Sequence, residues 1–419
     1  MSISKILVTG AGGFIGNRVT HRIALGENAA VKAMVHSLSG PGTMRLSRLP
    51  IEIESGSVLD EERLETLLSD CDAVINCAHG TRETVVDGTR TLLSVAENQD
   101  ISTYIHLSSA VVHGHDRRGV ITESTSFEPD TQYARVKAEA EGVISDWTGD
   151  VQPTIFRPCI VYGPHSPWVE NPIREIRQGA VLAENGVGEV NQMYIDNLVD
   201  ALLCAVYEPD AAGEVFLAAD DEPLSWRQYY LRLGNVLGDH PPVQSMTTSE
   251  IRRAKAVRTL TDSVVPPVRL CKEVFSAPET VQRAAAELQQ TPWASKLYRG
   301  LPEGLRESID VRLDDESETF EVTADAAVER PVLPDENLQK MQSTRTIVSN
   351  KKLKTQLGWE QQVPFEEAIE LIAAWARYEE LTTHDGHPSS VTGTHQRTTT
   401  FESDSETVQP QQKDSIIQG

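Results

Sequence analysis

Tyr133 and Lys137 bracket the stretch Tyr133-Ala134-Arg135-Val136-Lys137, which has helical spacing. A separation of four puts both side chains on one helix face. An isolated phenol titrates near 10, and a neighbouring ammonium favours the tyrosinate. Such a tyrosine can exchange a proton with an alcohol or carbonyl oxygen while a nicotinamide moves a hydride. A Tyr and a Lys at this spacing also arise by chance, so their surroundings decide. Upstream, Leu107-Ser108-Ser109-Ala110-Val111-Val112-His113-Gly114 ends an apolar run that reads as a strand. A serine hydroxyl there can hydrogen-bond the reacting oxygen. Downstream stands Phe156-Arg157-Pro158-Cys159-Ile160-Val161-Tyr162-Gly163-Pro164.

A third group lies near the start of the chain. Thr9-Gly10-Ala11-Gly12-Gly13-Phe14-Ile15-Gly16 follows an apolar run and opens an amphipathic stretch. Strand, glycine turn and helix make the context of a dinucleotide fingerprint. Gly10, Gly12 and Gly13 let the backbone approach a pyrophosphate, and the helix start at Phe14 and Ile15 offers it free N–H groups. Gly16 lets the helix pack close to the strand. A purely structural turn is the plainer reading of the same glycines. The acidic residue that would bind an adenosine ribose about 20 residues on is missing. The second strand ends Val35-His36-Ser37, with Arg45 and Arg48 nearby. His36 in that position favours NADP(H) over NAD(H), unless these basic residues are simply solvated.

The elements that must position these groups follow from periodicity. Strands fit 3–9, 30–36, 51–55, 73–77, 103–108, 152–156 and 215–218. Helices fit 14–25, 58–69, 85–97, 133–147, 198–207 and 226–237. Alternation of this kind implies βαβ units around a parallel sheet. The expected fold is α/β, a Rossmann-type doubly wound parallel sheet with a smaller, partly helical substrate domain. Residues 1–165 form the dinucleotide-binding part and 166–382 the substrate domain, with 195–220 returning to the sheet. Within 240–345 the alternation fades into an unassigned insertion. It holds two helical blocks, at 249–275 and 279–297, and an acidic segment at 310–329. Final helical stretches fit 353–357 and 365–378, and 383–419 reads as a disordered polar tail.

Composition narrows the class. The chain has 419 residues and a formal charge of −24, from 62 acidic residues against 38 Lys plus Arg. Nucleic acid is disfavoured as the main partner, since phosphate contact needs clustered positive charge. Only 11 of the 38 are Lys. A high-salt cytosol tolerates such a surface, so a halophilic source and a simply acidic protein both fit. Five scattered cysteines, at 71, 77, 159, 204 and 271, offer no disulfide framework and no zinc pair. No metal is expected, and His79, His106, His113 and His115 fall in separate segments. Apolar runs are too short for a membrane span. The start of the chain lacks a signal-peptide pattern, which suggests a cytoplasmic protein.

The ordered set TGxxGxxG, Ser-Ser, YxxxK and RPxxVYGP resembles the extended short-chain dehydrogenase/reductases, and within them the NAD(P)-dependent epimerases and dehydratases of nucleotide sugars. Met193-Tyr194-Ile195-Asp196-Asn197-Leu198 and the segment ending Leu357-Gly358-Trp359 are similar to later family segments. The resemblance covers about 1–238 and 346–378. It implies Tyr133 as acid/base, Lys137 as its modulator and ribose ligand, and Ser109 as hydroxyl partner with Ser108 as substitute. It implies that Ala78, Arg157 and Pro158 line the nicotinamide side. It implies a nucleotide-sugar substrate and a homodimer through the helix bearing YxxxK. Reduction of a non-sugar carbonyl, steroid- or flavonoid-like, is an alternative, and non-catalytic NAD(P) binding in a regulatory or assembly protein is another. Departures are visible: Gly56-Ser57 replaces Gly-Asp, Val85 stands where an Asn is usual, and His113 replaces a Tyr. Ala110-Val111 replaces the Asp-Glu of sugar 4,6-dehydratases, which disfavours that reaction.

Overall fold

A computed structural model describes residues 3–379 apart from 27, 239, 257 and 259–330. The expected helical blocks beyond 258, the acidic segment 310–329 and the tail 383–419 lie outside the described residues.

The chain opens β1 (Lys5–Thr9), α1 (Phe14–Leu25), β2 (Ala30–Val35), α2 (Pro41–Leu46), β3 (Glu52–Ser55), α3 (Glu61–Leu68) and β4 (Ala73–Asn76). A π-helical turn, Glu83–Asp87, leads into α4 (Gly88–Asn98) and β5 (Thr103–Leu107). A 3₁₀ turn at Ala110–His113 precedes β6 (Gly119–Ile121), α5 (Gln132–Ser145) and β7 (Thr154–Pro158). Then come β8 (Ile160–Tyr162), α6 (Pro167–Arg177), β9 (Val181–Ala183), β10 (Gln192–Tyr194), α7 (Ile195–Tyr207), β11 (Val215–Ala218), α8 (Trp226–Leu237) and β12 (Gln244–Met246). The last described elements are α9 (Glu336–Ser343), β13 (Thr346–Val348), α10 (Lys351–Leu357) and α11 (Phe365–Tyr378).

Seven strands form one parallel sheet in the order β11-β7-β5-β4-β1-β2-β3. The order reverses at β1, between β2 and β4, and ligands bind such sheets outside the carboxyl ends of the strands at that point. The central strands are apolar on both faces, as a doubly covered parallel sheet requires. Ile6 and Val8 face a core shared with α1, α7 and α8, while Leu7 and Val74 face α3 and α4. The first core runs on without a break to Trp359, Phe365 and Ile372.

Helix starts follow their caps. Asp60 accepts from the Arg63 N–H, so α3 begins at Glu61. Leu59, expected inside that helix, is exposed before it. Thr131 accepts from the Ala134 N–H at the start of α5. Ser225 and Gln228 form a capping box on α8. The sequence reading had no place for α2, α6, α9 or the short pairs β8–β10, β9–β12 and β6–β13. Three-residue strands carry no readable period. The two earlier helices contain Pro41, Gly42, Pro167 and Pro172, which score against a helix.

Candidate active site

The glycine turn is built by close approach. Gly10 has φ +63°, and a Cβ there would stand 2.5 Å from the Cys77 carbonyl oxygen at the end of β4. A Cβ on Gly16 would run into the Gly10 carbonyl. The turn closes with Gly13 N–H donating to Gly10 O at 2.9 Å. At α1 the N-cap is Gly13, which has no side chain to satisfy the first N–H groups. An uncapped twelve-residue helix start beside a turn stripped of side chains fits a pyrophosphate. The residues that would hold it are Gly10, Gly12, Gly13, Phe14 and Ile15. Sequence reasoning did not see that Gly42 of α2 presses on Gly12, where any Cβ would overlap the Gly12 carbonyl. Asn17 ties the two segments, donating to Gly42 O at 2.9 Å. His36 is exposed just beyond β2, and the Ser37 carbonyl accepts from Thr43 Oγ1.

Two strands along, β5 delivers Ser108 and Ser109, which part company. Ser109 starts the 3₁₀ turn, its hydroxyl accepts from the Val111 N–H at 3.4 Å, and it lies near the Tyr133 phenol. Ser108 is buried and donates to Glu141 Oε1. The Ser108 hydroxyl is thus engaged by Glu141, while Ser109 lies nearer Tyr133. Helix α5 carries Tyr133, Lys137 and Glu141 along one stripe. The Lys137 ammonium is buried and donates to Leu107 O at 2.7 Å. Burial pushes its pKa down to about 8, against smaller opposing effects of Cys77 and Glu141. Burial also holds the Tyr133 phenol above its ordinary value, and the Ser109 hydrogen bond only partly offsets it. In this arrangement the Lys137 ammonium is directed to the Leu107 carbonyl and is not among the groups that set the phenol's value.

Ala78 lies on the loop after β4, its N–H donating to Asn76 Oδ1 at 3.2 Å. Burial pushes the Cys77 thiol beside it up to about 12. Pro158 is buried at the end of β7. Arg157 is buried on β7 beside it. Its guanidinium pairs with Glu141 at 2.6 Å, donates to Glu123 O at 3.2 Å, contacts His113 Nε2 at 3.3 Å and covers the Phe127 ring. Both members of this ion pair are buried, and no contact of the guanidinium reaches the glycine turn. The histidines separate as well: His115 bonds Asp130 at 2.7 Å, while His106 is buried in β5 with neither ring nitrogen partnered. His79, on the loop after Ala78, stands edge-to-face against the Tyr133 ring. Among the described residues no group of three His, Cys, Asp or Glu could hold a metal, and no helix is long and apolar enough to cross a membrane.

The arrangement can transfer a proton at an oxygen held between Ser109 and Tyr133, beside a turn shaped for a dinucleotide. Comparison with known proteins places the chain in a family. The model of the NAD dependent epimerase/dehydratase family matches residues 6–219, half of the chain. An N-acetyl-alpha-D-glucosaminyl-diphospho-ditrans,octacis-undecaprenol 4-epimerase of Escherichia coli O157:H7 is 25% identical over 240 residues, covering 54% of this chain and 70% of that protein. A 2-alkyl-3-oxoalkanoate reductase of Shewanella oneidensis is 25% identical over 253 residues, covering 53% and 63%. The crystal structure of a UDP-glucose 4-epimerase from Thermotoga maritima with UDP-glucose superposes with a TM-score of 0.60 at 17% identity, over 90% of this chain and 99% of that one. From its glycine turn to the end of β11, this chain belongs to the NAD-dependent epimerase/dehydratase family of extended short-chain dehydrogenase/reductase enzymes.

Proposed function

We propose that the protein moves a hydride between NAD(P) and a secondary alcohol or ketone carbon of a nucleotide-activated sugar, with epimerisation as the net reaction. The observation that carries this reading is Tyr133 with the buried Lys137 one helical turn along on α5 and Ser109 nearby, in a fold whose first βα turn is shaped for a pyrophosphate. Tyr133 takes the proton of the sugar hydroxyl and later returns it. Ser109 holds that oxygen by a hydrogen bond. In the proposed reaction the Lys137 ammonium, charged at neutral pH, turns from the Leu107 carbonyl toward the phenol and stabilises negative charge developing there. When bound, the dinucleotide supplies the hydride acceptor and donor. Ala110 and Val111 carry no acid or base, so water elimination lacks its catalysts. His36 and the absence of a carboxylate beyond β2 favour NADP(H). Reduction of a non-sugar carbonyl is the second reading, supported by the likeness to the Shewanella reductase. A homodimer through α4 and α5 belongs to the proposal; the exposed residues on that face include Arg90, Arg135 and Glu139.

Tyr133→Phe is expected to lower kcat by about 10²–10⁴-fold, the usual worth of a positioned general acid or base, with dinucleotide binding retained. Denaturing the purified protein and identifying released nucleotide tests the net reaction. Stoichiometric retained dinucleotide supports an epimerase that recycles it. An empty protein that binds added NADPH and consumes it with a non-sugar ketone overturns the sugar reading, and an active Tyr133→Phe overturns the catalytic assignment.

A further inference from the structure

The loop between β4 and the π-helical turn spans six residues, Cys77 to Arg82, and is fastened to α5 at two points. Arg82 forms a two-pronged ion pair with Glu139, with Nε to Oε2 at 2.9 Å. Three residues earlier, the His79 imidazole meets the Tyr133 ring with centroids 5.6 Å apart and planes at 77°. Behind this loop, Val85 and Val86 pack on Val136 and Ala140 of the same helix. Tyr133 is 42% exposed, and Ser109 lies near its hydroxyl. His79 supplies a wall on the ring side, and Ser109 lies on the hydroxyl side. Near Lys137, burial and the ammonium charge both lower the imidazole pKa, so at neutral pH the ring is an uncharged aromatic plate.

We infer that His79 is a positioning residue for Tyr133: its ring, through the edge-to-face contact, holds the phenol in the orientation that keeps its hydroxyl toward Ser109. This deepens the proposed function and rests on Tyr133 being the acid/base. Aromatic pairs of this geometry prefer such an arrangement beyond simple area burial, and a misplaced reacting group loses rate even when binding is intact. The contact should therefore act on kcat and leave KM alone. The ring, and not its nitrogens, carries the effect, so Phe should substitute for His where Ala cannot.

The test uses the full chain labelled with 3-fluorotyrosine, the Tyr133 resonance being the one missing in Tyr133→Phe. His79→Ala is expected to move and broaden that resonance and to bring the midpoint of its phenol titration down toward the ordinary tyrosine value as water reaches the ring. His79→Phe is expected to keep both near wild type. An unchanged Tyr133 signal in His79→Ala overturns the inference, and so does a His79→Phe variant as perturbed as the Ala one. In parallel, NAD-dependent interconversion of UDP-glucose and UDP-galactose is followed. His79→Ala should lose about tenfold in kcat with KM within about twofold, and His79→Phe should recover to within about threefold. A wild-type protein inert on this pair counts against the sugar reading and leaves the spectroscopic test standing. An active wild type whose kcat survives His79→Ala overturns the positioning role alone.

Discussion

Lys137 sits where two demands on one ammonium conflict. The proposed catalysis needs it charged beside Tyr133, yet its burial has brought its pKa down to about 8. For a base whose folded value is depressed, the charged form is the one that costs stability. That cost is present at neutral pH and is relieved as pH rises from about 8 toward the unfolded value near 10.5. Activity has the opposite sign, because the charge that stabilises the tyrosinate disappears over the same range. The expected outcome is a kcat that falls as pH passes about 8 while the melting temperature does not fall with it. Parallel pH series of initial rate and thermal unfolding check this. A rate that holds level to pH 10 would show that the ammonium is not needed. At this scale the sequence was informative about identity and silent about direction. The YxxxK spacing gave Tyr133 and Lys137, but nothing in it said that the ammonium would turn to Leu107 O, or that Ser108 would turn to Glu141.

The elements were legible where a period ran long enough. Helices α1, α8 and α11 and strand β11 begin and end where their apolar spacing says. The three-residue strands and the proline-bearing helices were not legible, because too few residues repeat and local propensity opposes them. What the strands and helices owe to single buried contacts was hidden too. Glu141 on α5 and Arg157 on β7 form a buried pair that binds helix to sheet and also holds Ser108, next to the proposed catalytic Ser109. Breaking such a pair on one side leaves an uncompensated charge and costs about 3–5 kcal/mol, whereas replacing both partners by apolar residues costs much less. Glu141→Leu is therefore expected to lower the unfolding free energy by several kcal/mol. The double variant Glu141→Leu with Arg157→Met should recover part of that loss. Denaturant unfolding of the two variants separates the cases. If the double variant is the less stable of the two, the pair is a net source of stability and its desolvation has been overstated.

At the scale of the whole molecule, the sheet and the C-terminal segment are joined through one buried polar centre that the sequence marked only as a resemblance. Asn197, in the first turn of α7, donates to Val363 O and accepts from Val363 N–H, both at 2.9 Å. Trp359 Nε1 donates to the Asn197 carbonyl at 3.1 Å. The next residue back, Asp196, clamps α1 through Arg18. Behind Asn197 stands Asp220, just past β11, accepting from Asn197 Nδ2 at 2.9 Å and from Tyr194 N–H at 3.0 Å. It is buried, and burial raises its pKa to about 7 against the hydrogen bonds that lower it. An acid whose folded value is raised is protonated in both states below about 4. Between about 4 and 7 it ionises in the unfolded chain but not in the folded one. Its contribution to stability therefore declines across that window as pH rises, by about 4 kcal/mol at roughly 1.4 kcal/mol per pKa unit. Asp220→Asn removes the titration, at the cost of an amide donor facing one of two donors, Asn197 Nδ2 or the Tyr194 N–H. The variant is expected to be less stable than wild type at pH 4.5 and to approach or exceed it at pH 7.5. Melting temperatures of both proteins across pH 4.5–8 measure the difference. Curves that stay parallel would mean that Asp220 is ionised in the folded protein throughout, and that Asn197 and the Tyr194 N–H outweigh its desolvation. Curves that converge would make this joint, where α7 meets the C-terminal segment, a part of the molecule that tightens on mild acidification.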